Sequence, residues 1–427
     1  MDDAGFRLFC SVEGDGNISV SKYKSNRTGL TLYFADVDGP IVGGYICLAT
    51  EAHDDDGLPH TLEHLIFLGS EDYPYKGVLD LLASRCLASG TSAWTDTDHT
   101  SYTMTHAGSD GFLKLLPVFM EHILYPTLTK SGYRTEVHHI SGEGEDAGVV
   151  YCEMQFRGNT GERRCHLAML RAMYPGKCGY KSETGGLLKN LRESTSHKKV
   201  CDYHKQFYRP ENICIIITGQ INPEDVFTAL KPLEDKIVKK GKLPDFKRPW
   251  HDPVPPLDGI VEKSVLYPAD EESHGLVSIS FRGPMVKDQY CFQSVEVLAQ
   301  YLCDTAISPL QKYFVETDDP HCSEVQGTVI ENFESCLDFT FRDVDTDRLK
   351  DVNPEFQEVM KKTIENSLEM SRMQNIIHKK ILKALNNVEE CPLDSLAFII
   401  IGDFLYGSTR EDVLRPDSLS HISLTWS

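Results

Sequence analysis

Long apolar runs are missing from this sequence of 427 residues. The longest, such as 213–217 and 396–401, fall far short of the ~18 residues that a membrane-spanning helix needs, so we expect no contact with a membrane. The N-terminal segment lacks both the apolar core of a secretion signal and the arginine-rich character of a transit peptide. These absences predict a soluble, cytoplasmic protein.

Positive charge is also scarce. Lysine and arginine number 43 against 64 aspartate and glutamate residues, a formal net charge of −21, and so negative a surface repels nucleic acid. The 13 cysteines include no C-x-x-C pair, which favours reduced thiols over a disulfide framework. The sequence has no phosphate loop, dinucleotide fingerprint or G-x-S-x-G elbow. Nucleotide-dependent enzymes and serine hydrolases are therefore poor candidates.

What is present is the composition of a globular protein, with 41% hydrophobic and 25% charged residues. Two β-rich runs at 30–34 and 41–48 flank a Gly-Pro turn and predict a hairpin. The acidic stretch 54–56 before Pro59 predicts a helix start. Strand patterns at 92–105 and 213–218, with helical patterns between them, predict a mixed α and β domain.

Basic and proline-rich composition marks residues 236–259 as a surface linker. We therefore predict a first domain at 1–240, a linker at 241–259 and a second domain at 260–427. The order of strand, helix, strands and long helices recurs after the linker, so the predicted class is α+β, with two similar mixed α/β roll domains. The polar, serine-rich tail at 418–427 leads us to expect that the second domain is truncated.

The sharpest motif is H-x-x-E-H, formed by His60, Glu63 and His64. On a helix the two histidines lie one turn apart on the same face, close enough to bind one ion. Catalytic zinc takes three protein ligands and keeps a position open for water, so Glu63 is better placed as the base that receives a proton. The alternative is a solvated helix start with two surface histidines.

Glu153 is the best candidate for the third ligand. Val149, Glu153 and Phe156 follow one another at i, i+4 and i+7, which predicts that the carboxylate lies on an apolar helical face. A lone buried charge there would be costly, and metal binding would remove that cost. The alternative is an ion pair of Glu153 with Arg157 or Arg164.

With these residues in view, the sequence resembles the pitrilysin, or inverzincin, family of zinc peptidases, most closely its presequence protease branch. The resemblance extends from the motif through 65–76 and 148–154, and then through Tyr180, Gly185-Gly186 and 203–212. It covers most of residues 30–240 and, more faintly, 260–400. It implies the fold of one half of a clamshell, and a mitochondrial location as an alternative to the cytoplasm.

The resemblance implies roles for particular residues. His60, His64 and Glu153 match the zinc ligands and Glu63 the catalytic base. Ser92, Ala93 and Trp94 match an edge strand that pairs with the substrate backbone, with Ser92 in place of the usual Asn. For Trp94 ordinary core packing is the alternative. Asp146 stands where relatives often carry Glu. At most we expect it to support the metal ligands without binding the metal itself.

The predicted function is that of a zinc metalloendopeptidase acting on oligopeptides. The alternative is a non-catalytic peptide-binding or assembly subunit of a two-part peptidase. The resemblance implies that a second half supplies an Arg and a Tyr that hold the substrate carbonyl, and no residues of this sequence match them. We therefore expect peptide substrates and a second homologous half or subunit, or a second copy of this chain, as partners.

Overall fold

The computed structural model describes residues 5–13, 18–250, 252–257, 259–269 and 272–407, so the tail at 418–427 lies outside the described residues. None of the helices in these ranges is both long and apolar enough to cross a bilayer. The strands are β1 (Phe6–Glu13), β2 (Ser19–Ser25), β3 (Thr31–Ala35), β4 (Ile41–Ala49), β5 (Ala88–Thr95), β6 (His99–Ala107), β7 (His139–Ile140), β8 (Asp146–Ala147), β9 (Ile213–Thr218), β10 (His274–Met285), β11 (Glu324–Ile330) and β12 (Glu334–Asp345).

The α-helices carry the remaining regular structure and confirm the helix start predicted at Pro59 and the helical patterns predicted between 105 and 213. They are α1 (Leu58–Ile66), α2 (Val78–Arg85), α3 (Ser109–Leu124), α4 (Lys130–Glu136), α5 (Val149–Arg157), α6 (Gly161–Met173), α7 (Leu188–Glu193), α8 (His197–Phe207), α9 (Pro223–Lys240), α10 (Gln289–Cys303), α11 (Pro309–Phe314), α12 (Val352–Glu365), α13 (Met370–Glu390) and α14 (Pro392–Tyr406).

A seven-stranded sheet in the order β1-β2-β3-β9-β4-β6-β5 organises the first compact unit. Every neighbouring pair is antiparallel except β3 and β9, which are parallel. Strand side chains alternate between the two faces of the sheet. On one face Leu32, Ile46 and Ile215 join helical residues such as Leu65 and Phe119 in the main hydrophobic core.

The sheet order corrects the predicted hairpin at 30–34 and 41–48. Both runs are strands, but β9 lies between them, pairing with β3 on one side and β4 on the other. All six residues of β9 are buried. A continuous apolar strand is typical of a sheet that is covered on both faces, and such a strand gains more apolar burial at the centre than a solvent-exposed hairpin would.

Helix α14 covers the second face. Leu396, Ile400 and Phe404 of this helix are buried. The hydroxyl of Tyr33, which points away from the main core, donates to Asp403 Oδ2 at 3.0 Å. The C-terminal helix therefore completes the first unit.

The second compact unit has a smaller antiparallel sheet in the order β10-β12-β11. One face carries Ile279, Val325, Phe339 and Phe341, which pack in a separate core against α10, α11 and α12. The expected α+β class with antiparallel sheets packed by helices is thus present in both units.

The compact units differ from the linear domains expected from the sequence. The first unit comprises the residues up to Gln155, Ser182–Asp252 and the residues from Leu385 onward, and the second comprises Phe156–Lys181 and Pro253–Ala384. The apolar α14 explains the return to the first unit. Most described residues of the predicted linker at 241–259 are exposed, whereas Trp250 is buried and donates its indole N–H to the carbonyls of Thr50 at 2.8 Å and Asp98 at 3.0 Å.

Candidate metal centre

The start of α1 is held by the loop that precedes α7. Asp55 accepts a hydrogen bond from the backbone N–H of Glu183 at 2.9 Å. The neighbouring Asp56 is buried and accepts one from Asn190 Nδ2 at 2.9 Å. Burial alone would raise the pKa of Asp56, but hydrogen bonds led by that from Lys199 lower it below its usual range. The acidic residues therefore anchor the helix start through specific partners.

Gly57, at the N-cap of α1, has a φ of +67°, in the left-handed region that L side chains rarely adopt. A Cβ on Gly57 would lie 2.6 Å from the carbonyl oxygen of Gly185 and 2.7 Å from Gly186 Cα. Only glycine allows this approach of two backbones, which places His60 and His64 in the first turns of the helix.

We expect Gly57→Ala to destabilise the protein by at least about 2 kcal/mol and to weaken metal binding, since strain and a backbone clash would shift α1. Gly77→Ala is the matched control: Gly77 is the N-cap of α2 with a φ of +79°, and a Cβ there would meet nothing within 4 Å. Chemical denaturation and metal titration of both variants measure the difference. Equal losses in the two variants would contradict the assigned role of the close approach.

The three predicted ligands come together in one triangle. His60 Nε2 and His64 Nε2 are 3.3 Å apart, and Glu153 Oε2 lies 3.5 Å from each of them. Among the described residues this is the one group of three potential metal-ligating side chains. A tetrahedral zinc ion with bonds of about 2.0–2.1 Å holds its ligand atoms roughly 3.3 Å apart. The separations and the donor set therefore fit zinc.

The electrostatic environment of His64 favours its neutral form. Burial, followed by the neighbouring His60, lowers the pKa of His64 below its usual 6.5, and Glu153 only partly opposes this shift. His60 is 7% exposed. Because zinc binds the neutral form of histidine, the lowered pKa of His64 prepares its ring for a metal at neutral pH.

Glu153 reaches the histidines from the expected helical face, but that face is not buried. Val149 is 51% exposed and Phe156 is 85% exposed, so the i, i+4, i+7 face is not buried. The face of α5 that packs into the protein carries Val150, Tyr151 and Met154. The prediction of a buried apolar face around Glu153 was wrong. Because Glu153 is partly exposed, the desolvation cost of its charged carboxylate is low. The exposure also leaves one side of the triangle accessible to solvent.

Glu63 precedes His64 on α1 and is half-buried. Its Oε2 accepts a hydrogen bond from the hydroxyl of Thr95 at 2.6 Å. A carboxylate on the same helix as the two histidines is a candidate to receive a proton from a water molecule in the site. The three groups of the H-x-x-E-H motif therefore lie on one helix, and two of them form the triangle with Glu153.

Strand β5 is the last strand of its sheet in the described part of the chain, as the expected edge strand requires. Ser92 is exposed and Ala93 packs against the main core. Trp94 lies on the other face, where its ring contacts Tyr45 at 6.0 Å and Phe398 at 5.9 Å between ring centroids. The structure thus places Trp94 on the face of β5 away from Glu63, and substrate binding by these three residues remains a prediction.

Asp146 is bound to residues outside the triangle. His138 Nε2 lies 2.7 Å from its Oδ1, Arg192 Nη2 lies 3.1 Å from its Oδ2, and the hydroxyl of Tyr151 donates to that oxygen at 3.2 Å. Tyr151 belongs to α5, two residues before Glu153. Any effect of Asp146 on the metal is therefore exerted through the placement of that helix.

Sequence reasoning missed two residues of this site. Thr95 falls within the predicted strand pattern at 92–105 but was given no role, although strand alternation places it on the face opposite Trp94. Glu136 is buried, forms an ion pair with Lys76 at 2.8 Å and, like Glu153, partly opposes the lowering of the His64 pKa by burial. No local pattern signals Glu136, because it reaches the site only through the packing of α4 against α1.

Two family profiles match this chain. The profile described as insulinase (peptidase family M16) matches residues 49–153, which include His60, Glu63, His64 and Glu153. The profile described as the peptidase M16 inactive domain matches residues 194–379. The insulinase profile thus ends at Glu153, the third residue of the triangle.

Some relatives match nearly all of the chain, and others match about half of it. An uncharacterized protein of Caenorhabditis elegans is 40% identical over 405 residues, which cover 94% of this chain and 40% of that protein. The mitochondrial presequence protease of Candida albicans is 27% identical over 212 residues, 48% of this chain and 20% of that protein. The chain spans about 40% of the length of the relatives that match nearly all of it.

Solved structures show the same fold. A protease from Helicobacter pylori superimposes with a TM-score of 0.69 at 16% identity, covering 94% of this chain and 95% of that one. The first half of the periplasmic protease PqqL from Escherichia coli superimposes with a TM-score of 0.65 at 16% identity, covering 97% and 86%. The predicted half-clamshell fold is confirmed.

Proposed function

We propose that this chain, which carries M16 peptidase family domains and looks like one half of a larger member, acts as the zinc-binding half of a metalloendopeptidase for oligopeptides. The observation that carries the proposal is the triangle of His60, His64 and Glu153 with Glu63 beside it. Two neutral imidazoles and one carboxylate are a typical ligand set of catalytic zinc.

When bound, zinc lowers the pKa of a water molecule to about 7 and polarises a carbonyl group. Glu63 accepts a proton from the attacking water and returns it to the leaving nitrogen of the peptide. In the described part of the chain no strand pairs with the outer edge of β5, and this edge offers backbone N–H and C=O groups to an extended peptide. Together, these residues would hold a peptide and supply the proton transfers that hydrolysis requires.

The alternative, a non-catalytic peptide-binding or assembly subunit, would share the fold and the edge strand. Such a subunit has no use for a base, whereas this chain carries Glu63 in its H-x-x-E-H motif, with a hydrogen bond from Thr95 to the carboxylate. We therefore favour the enzyme. The likeness to the first half of PqqL, together with the greater length of the relatives, supports a second homologous half or subunit as partner. A reduced, cytoplasmic environment suits the thirteen free thiols.

We expect freshly purified protein at neutral pH to contain close to one zinc ion per chain, measured by plasma mass spectrometry. His60→Ala should lose most of the metal, since two ligands cannot complete the site. His53→Ala is the matched control, because His53 is near the start of α1 but contacts Glu51 rather than the triangle. Protein without zinc, or His60→Ala with undiminished zinc, would favour the non-catalytic alternative.

A further inference from the structure

We propose that Thr95 is a positioning residue that orients the carboxylate of Glu63 from the edge strand. This inference rests on the proposed function, since it assigns Glu63 as the base. The hydroxyl of Thr95 donates to Glu63 Oε2 at 2.6 Å, a short distance that is typical of a hydrogen bond to a charged acceptor. Glu63 lies on α1 and Thr95 on β5, so the bond joins two separate elements at the site.

The donor is held firmly. Thr95 pairs with Thr100 in the β5–β6 ladder, where its backbone is fixed. Threonine is branched at Cβ, which restricts χ1 and so fixes the direction of the hydroxyl. A flexible glutamate gains a defined orientation from such a partner at little further entropic cost.

A second set of contacts fixes the same strand from its other face. The indole N–H of Trp94 donates to His99 Nε2 at 3.1 Å, and His99 Nδ1 lies 2.6 Å from Asp98 Oδ1. Asp98 and His99 are both buried. The direction of the Thr95 hydroxyl is therefore determined by a strand that is held on both of its faces.

In this arrangement strand β5 contributes both to substrate binding and to the orientation of the group that transfers the proton. A peptide that pairs with the free edge of β5 would bind the same strand that orients Glu63. The reacting groups would then be held relative to one another by one rigid element, which is the condition for efficient catalysis by positioning.

The test compares Thr95→Val with Thr95→Ser by their kcat and KM for a fluorogenic peptide and by their zinc content. We expect Thr95→Val, which keeps the shape but lacks the hydroxyl, to lower kcat by about tenfold to a hundredfold with KM within about twofold and zinc retained. Thr95→Ser should recover most of the rate. Thr91→Val is the matched control: Thr91 lies on the same strand and donates to Asp80 at 2.8 Å, away from Glu63, so its rate should match the wild-type rate.

A Thr95→Val variant with wild-type kcat, or a Thr95→Ser variant as slow as Thr95→Val, would overturn the inference and leave the proposed function intact. A wild-type chain that binds no zinc and cleaves nothing would overturn both. A measurement independent of activity is a double-mutant cycle of Thr95→Val and Glu63→Ala read as melting temperatures. Non-additive shifts support the contact, and additive shifts show that the two side chains do not interact.

Discussion

Replacement of Glu63 by Gln is expected to leave zinc bound and to lower peptide hydrolysis by about a hundredfold to ten-thousandfold. The amide has nearly the same shape as the carboxylate and can still accept the hydrogen bond from Thr95, so the site should keep its structure. It cannot accept a proton from water at neutral pH. Zinc analysis and a peptide hydrolysis assay on the same sample measure the two properties separately.

His64→Ala is the contrasting variant, because it removes one of the two imidazoles of the triangle. We expect it to lose both zinc and hydrolysis. If Glu63→Gln loses only hydrolysis while His64→Ala loses both zinc and hydrolysis, the two variants distinguish the base from the metal ligands. Normal turnover by Glu63→Gln would show that another group receives the proton.

The local parts of this site could be predicted from the sequence. The acidic stretch and Pro59 mark the start of α1, and helical spacing alone places His60 and His64 on one face. Polar and apolar alternation identifies β5 and β6 as strands. These signals depend on neighbours within a few residues, where propensity and periodicity are informative.

Parts that depend on distant segments could not be predicted. β9 begins more than 150 residues after β4 and yet lies beside it, so the order of strands in the sheet cannot be inferred from the two earlier runs. Glu153 was chosen as a ligand by an argument about a buried helical face, and the structure buries a different face. The family resemblance, rather than periodicity, was the better guide to this residue.

The contact between Thr95 and Glu63 also depends on distant segments and could not be predicted from the sequence. Alternation along β5 predicts which side chains share a face, but it does not predict which helix covers that face. The position of α1 depends on Gly57 and on the loop containing Gly185 and Gly186, which comes about 120 residues later in the chain. A residue that orients the base is therefore visible only in the folded protein.

Purified alone, this chain is expected to bind zinc but to cleave peptides slowly. Each well-placed donor to the developing oxyanion contributes about a hundredfold to a thousandfold in rate. The family resemblance implies that an Arg and a Tyr from a second half fill this role, and the chain spans about 40% of its relatives' length. We therefore expect a rate at least a hundredfold below that of the chain mixed with the remaining part of the relative from Caenorhabditis elegans.

Light scattering and the peptidase assay on one sample test this expectation together. Large apolar side chains such as Leu81 and Leu87 are 52% and 69% exposed, which is consistent with a surface that a partner covers. We expect the mixture to form a one-to-one complex with increased turnover, and the same mixture made with Glu63→Gln to form the complex without turnover. A strictly monomeric chain with a kcat in the ordinary enzyme range of about 1–1000 per second would instead show that this half completes its own active site.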